Sequence, residues 1–163
     1  MSVSVYAFKP GGFVGVISDT HGLVRPEAVE ALKGSGLIIH AGDVGGPEVL
    51  EELGRVAPVV AVRGNNDRGA WAGALAEYEA FEVNRAFVYV LHDLKELDIA
   101  PAAAGFRVVV SGHSHKPLVE ERRGVLYLNP GSAGPRRFKL PVTVARLKMN
   151  GEDVNAEIIN LDV

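Results

Sequence analysis

The sequence predicts an α/β protein in which two packed sheets carry helices on their outer faces. Three observations lead there. In the first half, apolar runs alternate with amphipathic stretches, which argues for βαβ units and a parallel sheet. In the second half, alternating segments joined by short turn signals argue for added hairpins. The runs are apolar at consecutive positions, as expected of strands covered on both faces.

The elements follow in order. Segment 2–8, "SVSVYAF", alternates and reads as an edge strand or an extension, and "KPGG" separates it from the core. "GFVGVIS" (12–18) reads as the first buried strand. "RPEAVEALKGSG" (25–36) reads as a helix, with Pro26 in its first turn, Glu27 and Glu30 near its start and Gly34 at its stop. "LIIHAGD" (37–43) is a second strand. "GPEVLEELGRV" (46–56) repeats the helix grammar, and "PVVAVRGNND" (58–67) is a third strand. Segment 77–93 reads as two strands turning at Asn84-Arg85, and "LKELDIAPAAAG" (94–105) as a modest helix. "FRVVVSGHSH" (106–115) is another buried strand. Hairpins are expected over 117–132, turning near Arg123-Gly124, and over 141–161, turning at Asn150-Gly151.

The chain has 163 residues, which favours one domain over 1–163, with 1–11 as an N-terminal extension or edge strand. There is no cysteine, so thiolate metal sites, disulfides and cysteine nucleophiles are excluded. Any metal must be held by oxygen and imidazole nitrogen, which suits Mn, Ni, Fe, Zn or Mg. The formal charge of -3 gives no support to broad electrostatic binding of nucleic acid. No apolar run reaches the roughly 20 residues of a membrane span. The start lacks a charged region followed by a long apolar core, so no signal peptide is expected and the cytoplasm is the default location.

Polar clusters fall where the apolar strands end. Asp19 and His21 follow the first, His40 and Asp43 end the second, and Asn65, Asn66 and Asp67 end the third. His92 and Asp93 follow "FVYVL", His113 and His115 follow "RVVVS", and Asn129 to Ser132 follow "VLYL". In open α/β sheets ligands bind beyond the carboxyl ends of the strands, so these side chains can share one rim. If the local chain is extended, residues i and i+2 project to one side, which would pair Asp19 with His21 and His113 with His115. Seven donors with a carboxylate able to bridge suit two ions about 3.5–4 Å apart.

The motifs "SDTHG" (18–22), "HAGDV" (40–44), "RGNND" (63–67), "LHD" (91–93), "SGHSH" (111–115) and "NPGS" (129–132) together resemble the calcineurin-like metallophosphoesterase superfamily. The likeness is nearer to its small MJ0936/YfcE-like phosphodiesterase branch. It implies a four-layer α/β/β/α sandwich of the metallophosphatase type and two divalent metal ions, manganese first, with Ni, Fe, Zn or Mg as alternatives. Carried over by motif, Asp19, His21 and His115 would hold one ion, Asn65, His92 and His113 the other, and Asp43 would bridge them. The implied activity is phosphoester hydrolysis, with a metal-bridging hydroxide attacking phosphorus in line and with Asp43, Asn65 and His92 as the catalytic residues. The expected partner is a phosphate-ester small molecule or nucleotide; nucleic-acid ends fit an open rim but lack support from charge. Homo-oligomers are common in the family.

There are departures from the pattern. Asn66 stands where many members carry a proton-donating histidine, and Asp93 stands where glycine is usual. General-acid help is typically worth about 10²–10⁴-fold, so poor leaving groups should suffer most and phosphodiesters are favoured. The same departures keep open a catalytically weak or inactive protein-interaction scaffold on this fold. Asp67 has no assigned role. His40 reads as a core histidine or a brace, not a ligand. Asn129 reads as a turn residue that also braces the site. Arg63, Arg136 and Arg137 offer charge for a phosphate, against the plainer reading of solvated surface cations.

Overall fold

The computed structural model describes residues 3–9 and 11–163; Ser2 and Pro10 of the opening segment lie outside the described residues. Among the described residues, eleven strands form two sheets. The five-stranded sheet contains β2 (Phe13–Ile17), β3 (Ser35–His40), β4 (Val59–Ala61), β10 (Thr143–Asn150) and β11 (Asp153–Asn160), in the order β11-β10-β2-β3-β4. The six-stranded sheet contains β1 (Val5–Tyr6), β5 (Tyr78–Val83), β6 (Ala86–Leu91), β7 (Phe106–Val110), β8 (Leu118–Arg122) and β9 (Val125–Asn129), in the order β1-β5-β6-β7-β9-β8. Val5–Tyr6 is therefore an edge strand, parallel to β5.

Alternation in the strands builds the core. Val14 and Val16 of β2, Leu37 and Ile39 of β3, and Ala145 and Leu147 of β10 face the second sheet. They meet Phe81, Val83, Val88, Val90, Val108 and Val110 from the other side. The intervening residues Ile17, Ile38 and Val144 face outward and are covered by α1 (Pro26–Leu32) and α2 (Pro47–Gly54) through Ala28, Leu32, Val49 and Leu53. Burying a Leu or Val side chain is worth roughly 1.5–3 kcal/mol, enough for these few contacts to dock a helix of under ten residues that would not persist alone. The one-turn helix α3 (Ala70–Gly73) brings Trp71 to the same cluster.

The outer face of the six-stranded sheet differs from expectation. Segment 94–105 is not a helix; it forms a 3₁₀ turn at Leu94–Glu96 and further turns up to Gly105. Asp93 accepts a hydrogen bond from the Lys95 N–H and starts that turn. Leu94, Leu97 and Ile99 cover Tyr89, Leu91 and Val109 without helical spacing. The fourth layer is thus thin and irregular. The three hairpins form as expected, with Asn84, Arg85, Arg123, Gly124 and Gly151 at positive φ in their turns.

Parallel pairing orients the carboxyl ends. β2, β3 and β4 run parallel in one sheet, and β6, β7 and β9 in the other. Backbone bonds join neighbouring strand ends within each set, the Asp19 N–H donating to Gly42 O at 3.0 Å and the Gly112 N–H to His92 O at 2.9 Å. The Ala133 N–H, past the end of β9, donates to Ser18 O at 3.1 Å and ties the two sets together. No helix among the described residues is long and apolar enough to cross a membrane.

Candidate metal centre

The loops just past these strand ends bring the seven sequence-predicted donors to one place. His115 Nε2 lies 3.3 Å from Asp19 Oδ1, and His21 Nε2 lies 4.0 Å from the same oxygen and 3.7 Å from Asp43 Oδ2. His92 Nε2 lies 3.4 Å from Asp43 Oδ2, 3.0 Å from Asn65 Oδ1 and 3.3 Å from His113 Nδ1. Asp43 thus touches both groups. Ligands at about 2.0–2.2 Å from a common ion stand roughly 3.0–3.5 Å apart, which is the spacing around His92.

The route by which they converge is not the expected one. Asp19, His21, Asp43, His113 and His115 all have positive φ, between 47° and 70°. The pairs therefore do not project from an extended strand; each donor sits on a left-handed kink. Such a conformation costs a non-glycine residue on the order of 1–3 kcal/mol and persists where the surroundings fix it, commonly at functional sites. Thr20, between two kinks, points into the core, where its hydroxyl donates to Val44 O at 2.8 Å. Two glycines let the loops close: a Cβ on Gly64 would run into the Asp43 backbone, and one on Gly112 into the Ser18 hydroxyl.

Supporting residues hold the donors. Ser18 Oγ donates to Asp19 Oδ2 at 2.7 Å, and the His113 N–H donates to the same oxygen at 3.1 Å. The other oxygen, Asp19 Oδ1, is buried without a partner, as is His21 Nε2. Asn66 grips Asp43 twice, with its N–H on Oδ1 and its amide on Oδ2, both at 2.9 Å. The His92 Nδ1–H donates to Ala41 O at 2.7 Å, which leaves Nε2 to face the cluster. Asn129 donates to Gly112 O and Ser114 Oγ, bracing the "SGHSH" loop as expected of it.

Asp67, unassigned from sequence, proves to be the anchor of its loop: it accepts the N–H groups of Val44, Gly45 and Gly64 at 3.1, 3.0 and 2.8 Å. Nothing in the composition signals this, although an acid three residues after a glycine is the pattern of a side chain closing a turn. His40 is fully buried, donates from Nε2 to Thr20 Oγ1 at 2.9 Å and accepts the Gly42 N–H on Nδ1 at 3.1 Å. It stands behind the cluster and braces it. Arg63 pairs with Glu77 at 3.0 Å, and Arg136 bonds the carbonyls of Leu140 and Val163.

The electrostatics match the geometry. Burial raises the pKa of Asp43, but hydrogen bonds from His92 and Asn66 override it and hold the carboxyl far below the usual range. Burial likewise opposes ionisation of Asp19, and His115 and Ser18 reverse the balance, so it too is lowered. Burial lowers His92, yet the neighbouring Asp43 and Asp19 carboxylates and the Ala41 carbonyl raise it overall. Burial drives His40 down to about 4, so it is neutral at pH 7.

A cluster with two ionised carboxylates, four imidazoles and orphaned atoms on Asp19 and His21 is a poor resting place for protein alone, because buried polar groups without partners are costly. It fits divalent cations well. Two sets of three donors lie close enough to share an ion, Asp19 with His21 and His115, and Asp19 with Asp43 and His92. Such a rim of donors, at the carboxyl ends of two packed sheets, defines a protein of the metallophosphatase type.

The chain belongs to the calcineurin-like phosphoesterase superfamily, whose domain matches residues 13–152. It is 40% identical over 157 residues to a probable metallophosphoesterase of Methanothermobacter thermautotrophicus, covering 90% of this chain and 91% of the relative. It is 27% identical over 136 residues to the phosphodiesterase MJ0936 of Methanocaldococcus jannaschii, covering 72% of this chain and 82% of the relative. Its fold also matches the structure of Vacuolar Protein Sorting 29 from Cryptosporidium parvum, with a TM-score of 0.74 at 19% identity over 92% of this chain and 97% of that one.

Proposed function

We propose that this chain is a binuclear, divalent-metal-dependent phosphoesterase that prefers phosphodiesters. The observation that carries the reading is the convergence of five donors on left-handed kinks, with buried Asp19 and His21 atoms left unpartnered. Asp19, His21 and His115 would hold one ion, Asn65, His92 and His113 the other, with Asp43 shared. Bound ions supply Lewis acidity: they make a water nucleophilic at neutral pH and offset charge on the phosphoryl oxygens. Manganese suits this oxygen and imidazole set, as do Ni, Fe, Zn and Mg.

The chain's own residues supply orientation. Asn66 fixes both oxygens of Asp43, so the shared carboxylate cannot rotate away. The Ala41 carbonyl fixes the tautomer of His92 and aims Nε2 at the site. Because Asn66 is committed to Asp43 and carries no acidic proton, it gives no general-acid help. Leaving groups must then depart largely unassisted, which supports activated esters and diesters over phosphoserine. The name of the MJ0936 relative agrees with that preference.

The test is hydrolysis of bis(p-nitrophenyl) phosphate and of an alkyl phosphomonoester after chelation and after manganese is restored. Manganese-dependent turnover of the diester well above that of the monoester is expected. Full metal occupancy with no turnover of either would instead favour the scaffold reading, which the fold likeness to Vacuolar Protein Sorting 29 keeps in view.

A further inference from the structure

Two depressions flank the His113–Asp93 pair, and they differ in charge. The smaller, about 260 Å³, is lined by Arg63, Asn65, Glu77, Glu96 and the pair itself. Among the described residues its one Lys or Arg side chain, Arg63, is paired with Glu77. The larger, about 850 Å³, runs from the same pair past Leu94, Lys95, Lys116, Pro117, Leu118 and Arg137. Lys95, Lys116 and Arg137 are exposed, and among the described residues none of them is paired with a carboxylate. Three free cations on one groove are notable in a chain of formal charge -3.

We infer that the larger groove is a subsite for a second phosphate group, so that the substrate class is a phosphodiester carrying an additional phosphate one nucleoside away. This rests on the phosphoesterase reading for what sits at the metal end. The volume is that of a site for a ligand of nucleotide size. Leu94, Pro117 and Leu118 give apolar wall for a sugar or base. Asp93 lines both depressions, but its Oδ1 accepts the Lys95 N–H and its Oδ2 lies 3.8 Å from His113 Nε2. Against that one carboxylate the groove sets three cations, so the Lys95, Lys116 and Arg137 side is the one that attracts an anion. The opposite depression, with Glu77 and Glu96, repels one.

The test is calorimetric titration of the manganese-loaded protein with adenosine 3′,5′-bisphosphate and with adenosine 5′-monophosphate. The bisphosphate is expected to bind at least about tenfold more tightly, since exposed ion pairs are individually weak and three act together. That preference should shrink as salt is raised. A Lys95→Ala/Lys116→Ala/Arg137→Ala variant should reduce it to within about twofold, whereas Lys95→Arg/Lys116→Arg should retain it, the expected contributions being those of exposed charges. Equal affinities in the unaltered protein, binding of neither ligand, or a preference that survives the triple alanine variant would overturn the subsite. Failure of the phosphoesterase reading looks different: the preference is present, but no diester is hydrolysed.

Discussion

The two halves of the donor cluster are built differently. Asp19 and His115 are 0% and 3% exposed, and they and His21 all sit on left-handed kinks, the one at Asp19 held by Ser18, Gly42 and Ser132 and the one at His21 by its N–H on Asp43 O. The second half relies on the end of a regular strand for His92, on a turn for Asn65, and on His113, whose side chain is 43% exposed. The first half is the more buried, with His21 its one partly exposed donor at 27%; the second opens onto both flanking depressions. A site of this kind can hold one ion as part of the structure and present another to an incoming ligand. Backbone strain is concentrated in the first half, where Asp19, His21 and His115 are all kinked, whereas in the second only His113 is.

Asp43 belongs to both halves, so its removal should erase the difference between them. Asp43→Ala is expected to lower manganese-dependent diester hydrolysis by more than about 10³-fold, above the loss typical of a single electrostatic donor. Metal titration of the same variant should show both affinities reduced. A variant that keeps one tight ion and appreciable turnover would break the picture of a shared carboxylate.

Much of this was legible in the sequence. The succession of strands and the hairpin turns followed from apolar runs and turn signals, and so did the gathering of Asp, Asn and His residues past the strand ends. The manner of convergence did not. Spacing suggested extended i, i+2 pairs, but left-handed φ at Asp19, His21, His113 and His115 is imposed by contacts from distant loops, such as the His113 N–H on Asp19. Segment 94–105 misled for a related reason: Leu94, Leu97 and Ile99 fill the outer face from turns, so the apolar pattern was real but its period was not helical. The role of Asn66, and all of Asp67's beyond its local bond to the Gly64 N–H, was invisible because these contacts reach groups more than twenty residues away.

The more buried half should be sensitive to acid. His40 has a folded pKa of about 4 against an ordinary value of 6.5, because burial disfavours its charged form. Above pH 6.5 both folded and unfolded chains hold it neutral and it adds no pH dependence. As pH falls from 6.5 toward 4, the unfolded chain takes up a proton that the folded chain refuses, so stability is lost across that window. The loss attributable to this residue is up to about 3 kcal/mol. Denaturant unfolding at several pH values should show a shallower slope between pH 6.5 and 4 in His40→Gln than in the unaltered chain. An identical slope would mean that His40 is not the group that makes the buried half acid-sensitive.

The open half should respond most weakly, and Asp93 is the residue that reports it. Its Oδ2 lies 3.8 Å from His113 Nε2, the nitrogen turned away from the cluster, while Nδ1 faces His92. A carboxylate behind a ligating imidazole orients the ring and raises its basicity, and losing such a partner commonly costs 10–100-fold in metal affinity, by order of magnitude. Both groups here are partly exposed, at 26% and 43%, so solvent screens the pair and the effect should fall at the lower end. Asp93→Gly is therefore expected to weaken the second manganese site by no more than about tenfold while leaving the first unchanged, read by stepwise metal titration. Equal weakening of both sites would show that the two halves are coupled more tightly than their separate construction implies, since Asp93 touches only the exposed one.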